Sequence, residues 1–315
     1  MRVLVTGAQG CIGAWVVKQL IGRGADVLVY DREASTARLG MIATTAEIAK
    51  VKFEQGQIED GGRIKALVKG GGITHIIHLA AVLMPYCQAN PVQGGMINVI
   101  GTLNVFEAAR DAGRAVRISY ASSSAVWGPE EAYEQRKLNE DDPLHPGTHY
   151  GVFKQANEGN ARIFYAANGI SSVGLRPWTV YGAGRDAGLT AGPSLAMRAV
   201  ANGEPFQIAL TGFMDLQYVE DVAEMFIRGA ISPLEGPHVF NLAGDVIRME
   251  ELITLLEGIR PGAAKLITCA GPTVGVAYRM DDSAIRSKLP DLPRTPLDVG
   301  AARTIEIFEK LRKAR

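Results

Sequence analysis

The sequence predicts an α/β fold, a doubly wound parallel sheet with a small, discontinuous C-terminal lobe. Two observations carry the sheet. Short β-branched runs alternate with helix-period segments through the first half of the chain, the pattern of repeated βαβ units. Strands joined by helix-sized connections form a parallel sheet covered on both faces, and such crossovers are almost always right-handed. A third observation marks the lobe. After Arg176-Pro177 the rhythm loosens, with Gly182, Gly184, Gly188, Gly192 and Gly203 punctuating the segment, and punctuation of this kind signals turns and irregular structure.

Taken in order, the expected strands are Arg2–Thr6, Asp26–Asp31, Val51–Gln55, Ile73–Leu79, Arg117–Ala121 and Ser171–Leu175. Between the first two lie Ile12, Val16 and Leu20 at helical spacing, and Ile97, Leu103, Val105 and Phe106 mark a later helix. Two further sheet-like runs, around Leu216–Val219 and Val239–Leu242, flank a helix over Asp221–Gly229. From about Met249 the chain reads as helices and a short strand pair, closing with a helix over Ala301–Lys313. The cations of the basic end, Lys310 to Arg315, suit a helix C-terminus. The expected division is 1–176 with about 206–245 for a nucleotide-binding part, and about 177–205 with 246–315 for the lobe.

Composition narrows the function. Lys+Arg and Asp+Glu balance at 33 each in 315 residues, leaving no surplus of positive charge for a nucleic-acid backbone. No apolar run nears the roughly 20 residues that cross a bilayer. The chain starts at once on a strand, without the regions of a signal peptide. Cys11, Cys87 and Cys269 are odd in number and widely spaced, which suits reduced thiols in a cytoplasmic protein rather than disulfides or zinc. His75, His78, His145, His149 and His238 likewise lack metal-ligand spacing, so no metal is expected.

The first strand runs into Thr6-Gly7-Ala8-Gln9-Gly10-Cys11-Ile12-Gly13. Gly7 permits a tight turn, Gly10 lets backbone approach a pyrophosphate, and Gly13 lets helix and strand pack closely; the anion sits on free helix N–H groups. Asp31 closes the next strand, where an acid accepts bonds from ribose hydroxyls and repels a 2′-phosphate. NAD is therefore favoured over NADP, a preference that the neighbouring Arg32 weakens.

These residues resemble the extended short-chain dehydrogenase/reductase superfamily, in its epimerase/dehydratase branch, and the resemblance covers about residues 1–245. Ile77-His-Leu-Ala-Ala81 looks like the family's fourth-strand motif, and Asn98-Val-Ile-Gly-Thr102 like its following helix start. Ser122-Ser-Ser-Ala-Val-Trp-Gly128 is similar to the fifth-strand motif, with Trp127 in place of the usual tyrosine. Tyr150-Gly-Val-Phe-Lys154 matches the Tyr-x-x-x-Lys pair, and Leu175-Arg-Pro-Trp-Thr-Val-Tyr-Gly182 the loop after the sixth strand. The resemblance implies a Rossmann fold holding NAD through Gly7, Gln9, Gly10, Cys11, Ile12, Gly13, Asp31, Arg32, Gln57, Ile58, Leu79, Ala80, Ala81, Asn98, Tyr150, Lys154 and Pro177. It also implies a homodimer through helices near 97–111 and 150–167.

The chemistry expected of the site follows from the proton. Taking hydride from a carbinol leaves a proton that a base must accept, and a tyrosine serves only if its pKa falls from near 10. Tyr150 and Lys154 stand one helical turn apart and share a face, so in a water-poor cleft the ammonium is expected to lower the phenol. Ser123, counted back from Val126, matches the family's hydroxyl that holds the substrate oxygen; Ser124 is the alternative in register. Met84, Ser123, Ser124, Trp127, Tyr150 and Arg185 form the expected substrate site.

Nucleotide-sugar members of the family carry an arginine where this chain has Met214, and the chain is slightly short for them. A free sugar, sugar acid or similar polyol is therefore the expected substrate, handled by a dehydrogenase or an epimerase, with a nucleotide-sugar 4-epimerase as the alternative. A dehydratase has less support, since Ser124-Ala125 stand where an acid pair is usual. Arg185, Arg198 and Arg279 are the candidate anion contacts. A non-catalytic dinucleotide-binding sensor is the reading from another class.

Overall fold

The computed structural model describes residues 1–314. Its main sheet has seven strands: β1 (Arg2–Thr6), β2 (Asp26–Asp31), β3 (Lys52–Gln55), β4 (His75–His78), β5 (Arg117–Ala121), β6 (Ser172–Arg176) and, after an excursion, β10 (Pro237–Asn241). Their order is β3-β2-β1-β4-β5-β6-β10, and every pairing is parallel. The expected fold class is thus found, and the order reverses between β1 and β4. A reversal of this kind opens a crevice at the carboxyl ends of the strands.

Alternation along β1 explains the two layers. Val3 and Val5 join the core shared with helices Cys11–Gly22 and Val219–Ile231, whereas Leu4 joins Ile64, Val105, Phe106 and Ala161 on the other face. All three are at most 1% exposed, so the strand reads as one apolar run. The helix expected near residue 97 is present, but Met96–Ile100 is wound as a π-helical turn before Gly101–Arg110.

The lobe uses β7 (Thr179–Tyr181), β8 (Phe206–Ile208), β9 (Phe213–Tyr218), β11 (Asp245–Arg248) and β12 (Ile267–Cys269). These form a three-stranded sheet, β11-β9-β7, and the parallel pair β12-β8. Here the structure corrects an expected boundary: β8 and β9 lie within 206–245, yet pair in the lobe rather than in the main sheet. Each finds its partners far away in sequence, which local pattern does not reveal. The chain rejoins the main layer through helix Val219–Ile231 and β10. The C-terminal helix spans Leu297–Lys313, with Lys310, Arg312 and Lys313 in its last turn; Arg315 lies outside the described residues. No helix among the described residues is long and apolar enough to cross a membrane.

His78, at the end of β4, shows how tightly the crevice floor is built. Thr102 donates its hydroxyl proton to the Asn98 carbonyl at 2.7 Å, so it accepts from His78 Nε2 at 3.0 Å, while Nδ1 accepts from Thr6 Oγ1 at 2.7 Å. One neutral tautomer is thereby fixed. Burial depresses the imidazole from 6.5 to about 3. The unfolded chain therefore takes up this proton first, and stability falls as pH drops from about 6.5 toward 3. Between pH 7 and pH 5 the loss assigned to His78 is about 2 kcal/mol. Urea unfolding should show it in the wild type and not in His78→Gln; equal losses in both proteins would remove the assignment.

Candidate active site

The glycine loop has the geometry its sequence implied. Gly7 sits at φ +70°, and a Cβ there would lie 2.5 Å from the Ala80 amide nitrogen. The end of β4 therefore presses directly on the turn, which places Leu79, Ala80 and Ala81 beside it. A Cβ on Gly13 would lie 2.4 Å from the Gly7 carbonyl oxygen, so the helix packs onto the loop without a side chain between them. Gly10 caps helix Cys11–Gly22, and no side chain caps its first turn. The first N–H groups are thus left for an anion.

Asp31 closes β2 against this loop. Its carboxylate accepts from the Gln9 N–H at 2.9 Å and the Glu33 N–H at 3.1 Å. Arg32 is exposed and lies 3.5 Å from Glu33. Tyr30 donates its hydroxyl to the Gln57 carbonyl at 2.9 Å, and Ile58 fills the space that Gly101 leaves. Ile12 is partly buried against the core. Cys11 reaches the Ala183 carbonyl only at 3.9 Å, and burial pushes its thiol up to about 12; it is a small space-filler in the loop rather than a nucleophile.

Two expected cofactor contacts are committed elsewhere. Asn98 is 1% exposed, and its amide both accepts from and donates to the Val82 backbone at 3.0 Å. It positions the segment after β4 and has little left for direct contact. Pro177 is buried, and its carbonyl accepts from the Ser124 N–H at 3.0 Å.

Ser123, Tyr150 and Lys154 come together at the carboxyl end of β5. Helix His149–Asn168 carries the last two, started by Thr148, whose hydroxyl accepts from the Gly151 N–H at 3.1 Å. A Cβ on Gly151 would stand 2.1 Å from the Ala125 carbonyl oxygen, so the helix start lies against the serine segment. Ser123 is partly exposed and faces the phenol closely enough to favour its ionised form. Ser124 is buried, which makes Ser123 the reachable hydroxyl.

The charge balance differs from the expectation. Burial raises the Tyr150 phenol above its usual value, opposed by Ser123 and by the positive charge of Arg185. Lys154 donates to the Ala121 carbonyl at 2.6 Å and lies 5.5 Å from the Tyr150 ring centroid. Burial lowers the lysine itself to about 8. The spacing thus delivers proximity, but the residues of the chain alone do not lower the phenol.

Trp127 is a correction. Expected at the substrate, it is 0% exposed, covered by the Arg176 guanidinium at 4.8 Å and edge-on to Tyr133. Arg176 in turn donates twice to Glu158 at 2.8 Å, and Ser122 also donates to Glu158. Sequence reading missed this group; its one visible signal was an acid one turn beyond Lys154 on the same helix face. Also missed was a clamp over the glycine loop: Arg38 donates to the Gln9 carbonyl at 2.6 Å and to Asp186 at 2.7 Å.

Met84 is partly exposed just after the β4 segment. Met214 is fully buried in β9, so no cation stands at its position. Of the candidate arginines, Arg279 pairs with Glu130. Arg185 and Arg198 both line a cavity of ≈350 Å³ with Met41, Phe308 and Arg312, a wall that includes neither Ser123 nor Tyr150. Only the charge of Arg185 is felt at the phenol. No group of three or more metal-ligating side chains exists among the described residues.

Fold and loop define a dinucleotide-binding oxidoreductase of the Rossmann type. A profile of the NAD dependent epimerase/dehydratase family matches residues 3–243. The chain belongs to this family, and its cofactor is NAD. A UDP-glucose 4-epimerase of Mycolicibacterium smegmatis is 29% identical over 315 residues, with 98% of each chain covered. The solved UDP-glucose 4-epimerase of Thermotoga maritima, in complex with UDP-glucose, aligns at TM-score 0.84 and 25% identity, covering 99% of this chain and 100% of that one. The solved UDP-glucose 4-epimerase of Thermus thermophilus, in complex with NAD, aligns at TM-score 0.81 and 25% identity, covering 98% and 99%. The end-to-end match with the Mycolicibacterium relative overturns the expectation that the chain is short for a nucleotide-sugar enzyme.

The close packing around Gly13 has a direct test. Gly13→Ala drives a methyl group into backbone that has no freedom to yield, and should weaken NAD binding by ~10-fold or more, about 1.4 kcal/mol, by calorimetry. Gly22→Ala, in the same helix with nothing within 4 Å of the new methyl, should bind NAD like the wild type.

Proposed function

We propose that this enzyme oxidises a secondary alcohol of a sugar or sugar-acid-like substrate, with Ser123, Tyr150 and Lys154 as its catalytic groups. The observation that carries this reading is the convergence of hydroxyl, phenol and buried ammonium at the end of β5, beside the glycine loop. Gly7, Gly10 and Gly13 would admit the dinucleotide, the first turn of helix Cys11–Gly22 would meet its pyrophosphate, and Asp31 would meet its ribose.

When bound, oxidised NAD supplies the hydride acceptor and a positive ring beside the phenol. Ser123 holds the substrate hydroxyl by donating to its oxygen, and stabilises the charge that develops there. Tyr150 takes the hydroxyl proton as general base. Lys154, fixed by the Ala121 carbonyl, keeps positive charge beside Tyr150 up to pH about 8 and is read as the ribose-hydroxyl ligand. Release of the ketone makes the enzyme a dehydrogenase; reduction of the ketone on its other face makes it an epimerase. The full-length identity with a UDP-glucose 4-epimerase supports a second reading, a nucleotide-sugar 4-epimerase, which the buried Met214 disfavours.

A panel of free sugars, sugar acids and UDP-sugars, followed by NADH absorbance and by a coupled epimer assay, separates these outcomes. With the substrate so found, Tyr150→Phe should lower turnover by ~10²-fold or more while NAD binding is kept; near-normal turnover would refute the assignment.

A homodimer is part of the proposal. Tyr86, Val92 and Met96, at 41%, 82% and 42% exposed, neighbour helix His149–Asn168, which itself exposes Val152 and Ile163 at 45% and 67%. Apolar surface of this extent is a candidate association face. Light scattering should give a dimer for the wild type and a monomer for Val92→Glu/Ile163→Glu; a monomeric wild type ends the proposal.

A further inference from the structure

We infer that the cavity between helices Gly192–Asn202 and Leu297–Lys313 is a second ligand site, separate from the crevice, and that it takes a phosphate monoester with an apolar body, the chemistry of a nucleoside monophosphate. The inference stands independently of the proposed oxidation at Tyr150.

The two helices build the cavity from matched faces. Leu195, Arg198 and Asn202 stand at i, i+3 and i+7 on the first, and Phe308, Leu311 and Arg312 at i, i+3 and i+4 on the second, so each set shares one side of its helix. Met41 and the loop 184–186 complete a wall around ≈350 Å³, within the range of about 300–1,000 Å³ that small-molecule sites occupy. The wall includes none of Gly7, Gly10, Gly13 and Asp31, and neither Ser123 nor Tyr150. The cavity is therefore distinct from the dinucleotide crevice.

Its charges do not balance. The wall carries three guanidinium groups, on Arg185, Arg198 and Arg312, and two carboxylates, on Asp186 and Glu204. Asp186 is already answered by Arg38, which lies outside the wall and holds it at 2.7 Å. Glu204 accepts from the Asn202 amide at 3.3 Å. Three cations thus stand against one uncompensated acid. None of the three forms an ion pair among the described residues; Glu309, on the same helix as Arg312, is bound to Arg260 at 2.9 Å instead. Arg185 Nη2 donates to Thr190 Oγ1 at 3.3 Å, and its Nε is buried without a partner. Buried donors left unpaired are rare, and the strongest complement to a guanidinium is an oxyanion.

The surplus selects the anion. A phosphate monoester carries about −1.5 to −2 at pH 7 and offers three acceptor oxygens, which suits several guanidinium groups; a carboxylate brings a single charge. The body of the ligand follows from the remaining wall, where Met41, Leu195, Phe308 and Leu311 are apolar. A bare phosphate would leave that surface wet, whereas a planar base covers it. Arg198 and Arg312 are exposed, so the phosphate can be met from solvent.

The test is calorimetry on protein saturated with NAD, which keeps the probes out of the adenosine half of the crevice. The probes are AMP, GMP, CMP and UMP, with their nucleosides and inorganic phosphate as counterparts. At least one monophosphate should bind with Kd below ~1 mM, and its nucleoside and phosphate alone at least ~10-fold more weakly. Arg198→Glu and Arg312→Glu, at exposed positions, should each weaken that binding by ~10-fold or more, the scale of a lost charge-assisted hydrogen bond, with NAD affinity unchanged. Glu204→Gln, which removes the opposing charge, should tighten it by ~2–5-fold. The inference is overturned if no monophosphate binds, if a nucleoside or inorganic phosphate binds as tightly, or if the two glutamate variants and Glu204→Gln all bind like the wild type.

Discussion

The buried ion pair between Glu158 and Arg176 holds the site in register. Its side chains are 2% and 4% exposed, and they meet through two hydrogen bonds of 2.8 Å. Glu158 belongs to the helix that carries Tyr150 and Lys154, and it also accepts from Ser122, the neighbour of Ser123. Arg176 ends β6, contacts Asn241 at the end of β10 at 3.4 Å, and covers Trp127. One pair therefore ties the helix, the serine segment and two strand ends together. Buried pairs add little net stability over apolar replacements, whereas removal of a single partner costs about 3–5 kcal/mol. The return on this pair is geometric.

Much of the architecture was legible in the chain because it is local. β1, β2 and β5 run over the residues their patterns marked, since β-branched runs bounded by glycine and acid leave few alternatives. The glycine loop was equally legible: Gly7 and Gly13 are required by contacts with Ala80 and with the loop itself, and the pattern of such contacts is short-range. The illegible parts depend on partners distant in sequence. Trp127 stands four residues from Ser123, and adjacency suggested a shared cleft; Arg176 turns it into core. Asn98 looked free for a cofactor until the Val82 backbone claimed both ends of its amide. The boundary at about 206 missed β8 and β9, whose partners β12, β7 and β11 lie far away in sequence.

Charge in the crevice was only half legible. Tyr150 and Lys154 are close, as the spacing required, yet burial acts on both in the direction of neutrality: the phenol rises and the ammonium falls to about 8. A water-poor cleft disfavours either charge taken alone. The cleft thus sets a neutral phenol beside an ammonium that stays charged up to pH about 8. The positive charge of Arg185, on a loop of the lobe, opposes the rise of the phenol.

The path of the chain has one more consequence. It leaves the main sheet at Arg176, builds β7 to β9, returns through Val219–Ile231 and β10, and departs again for β11 onward. Sheet and lobe are interlaced like two laced fingers, so no single cut frees either one. A nick in the 182–190 loop would leave two fragments, each holding part of both bodies, held together by their packing. Grafting this lobe onto another scaffold would require three crossings to be matched at once.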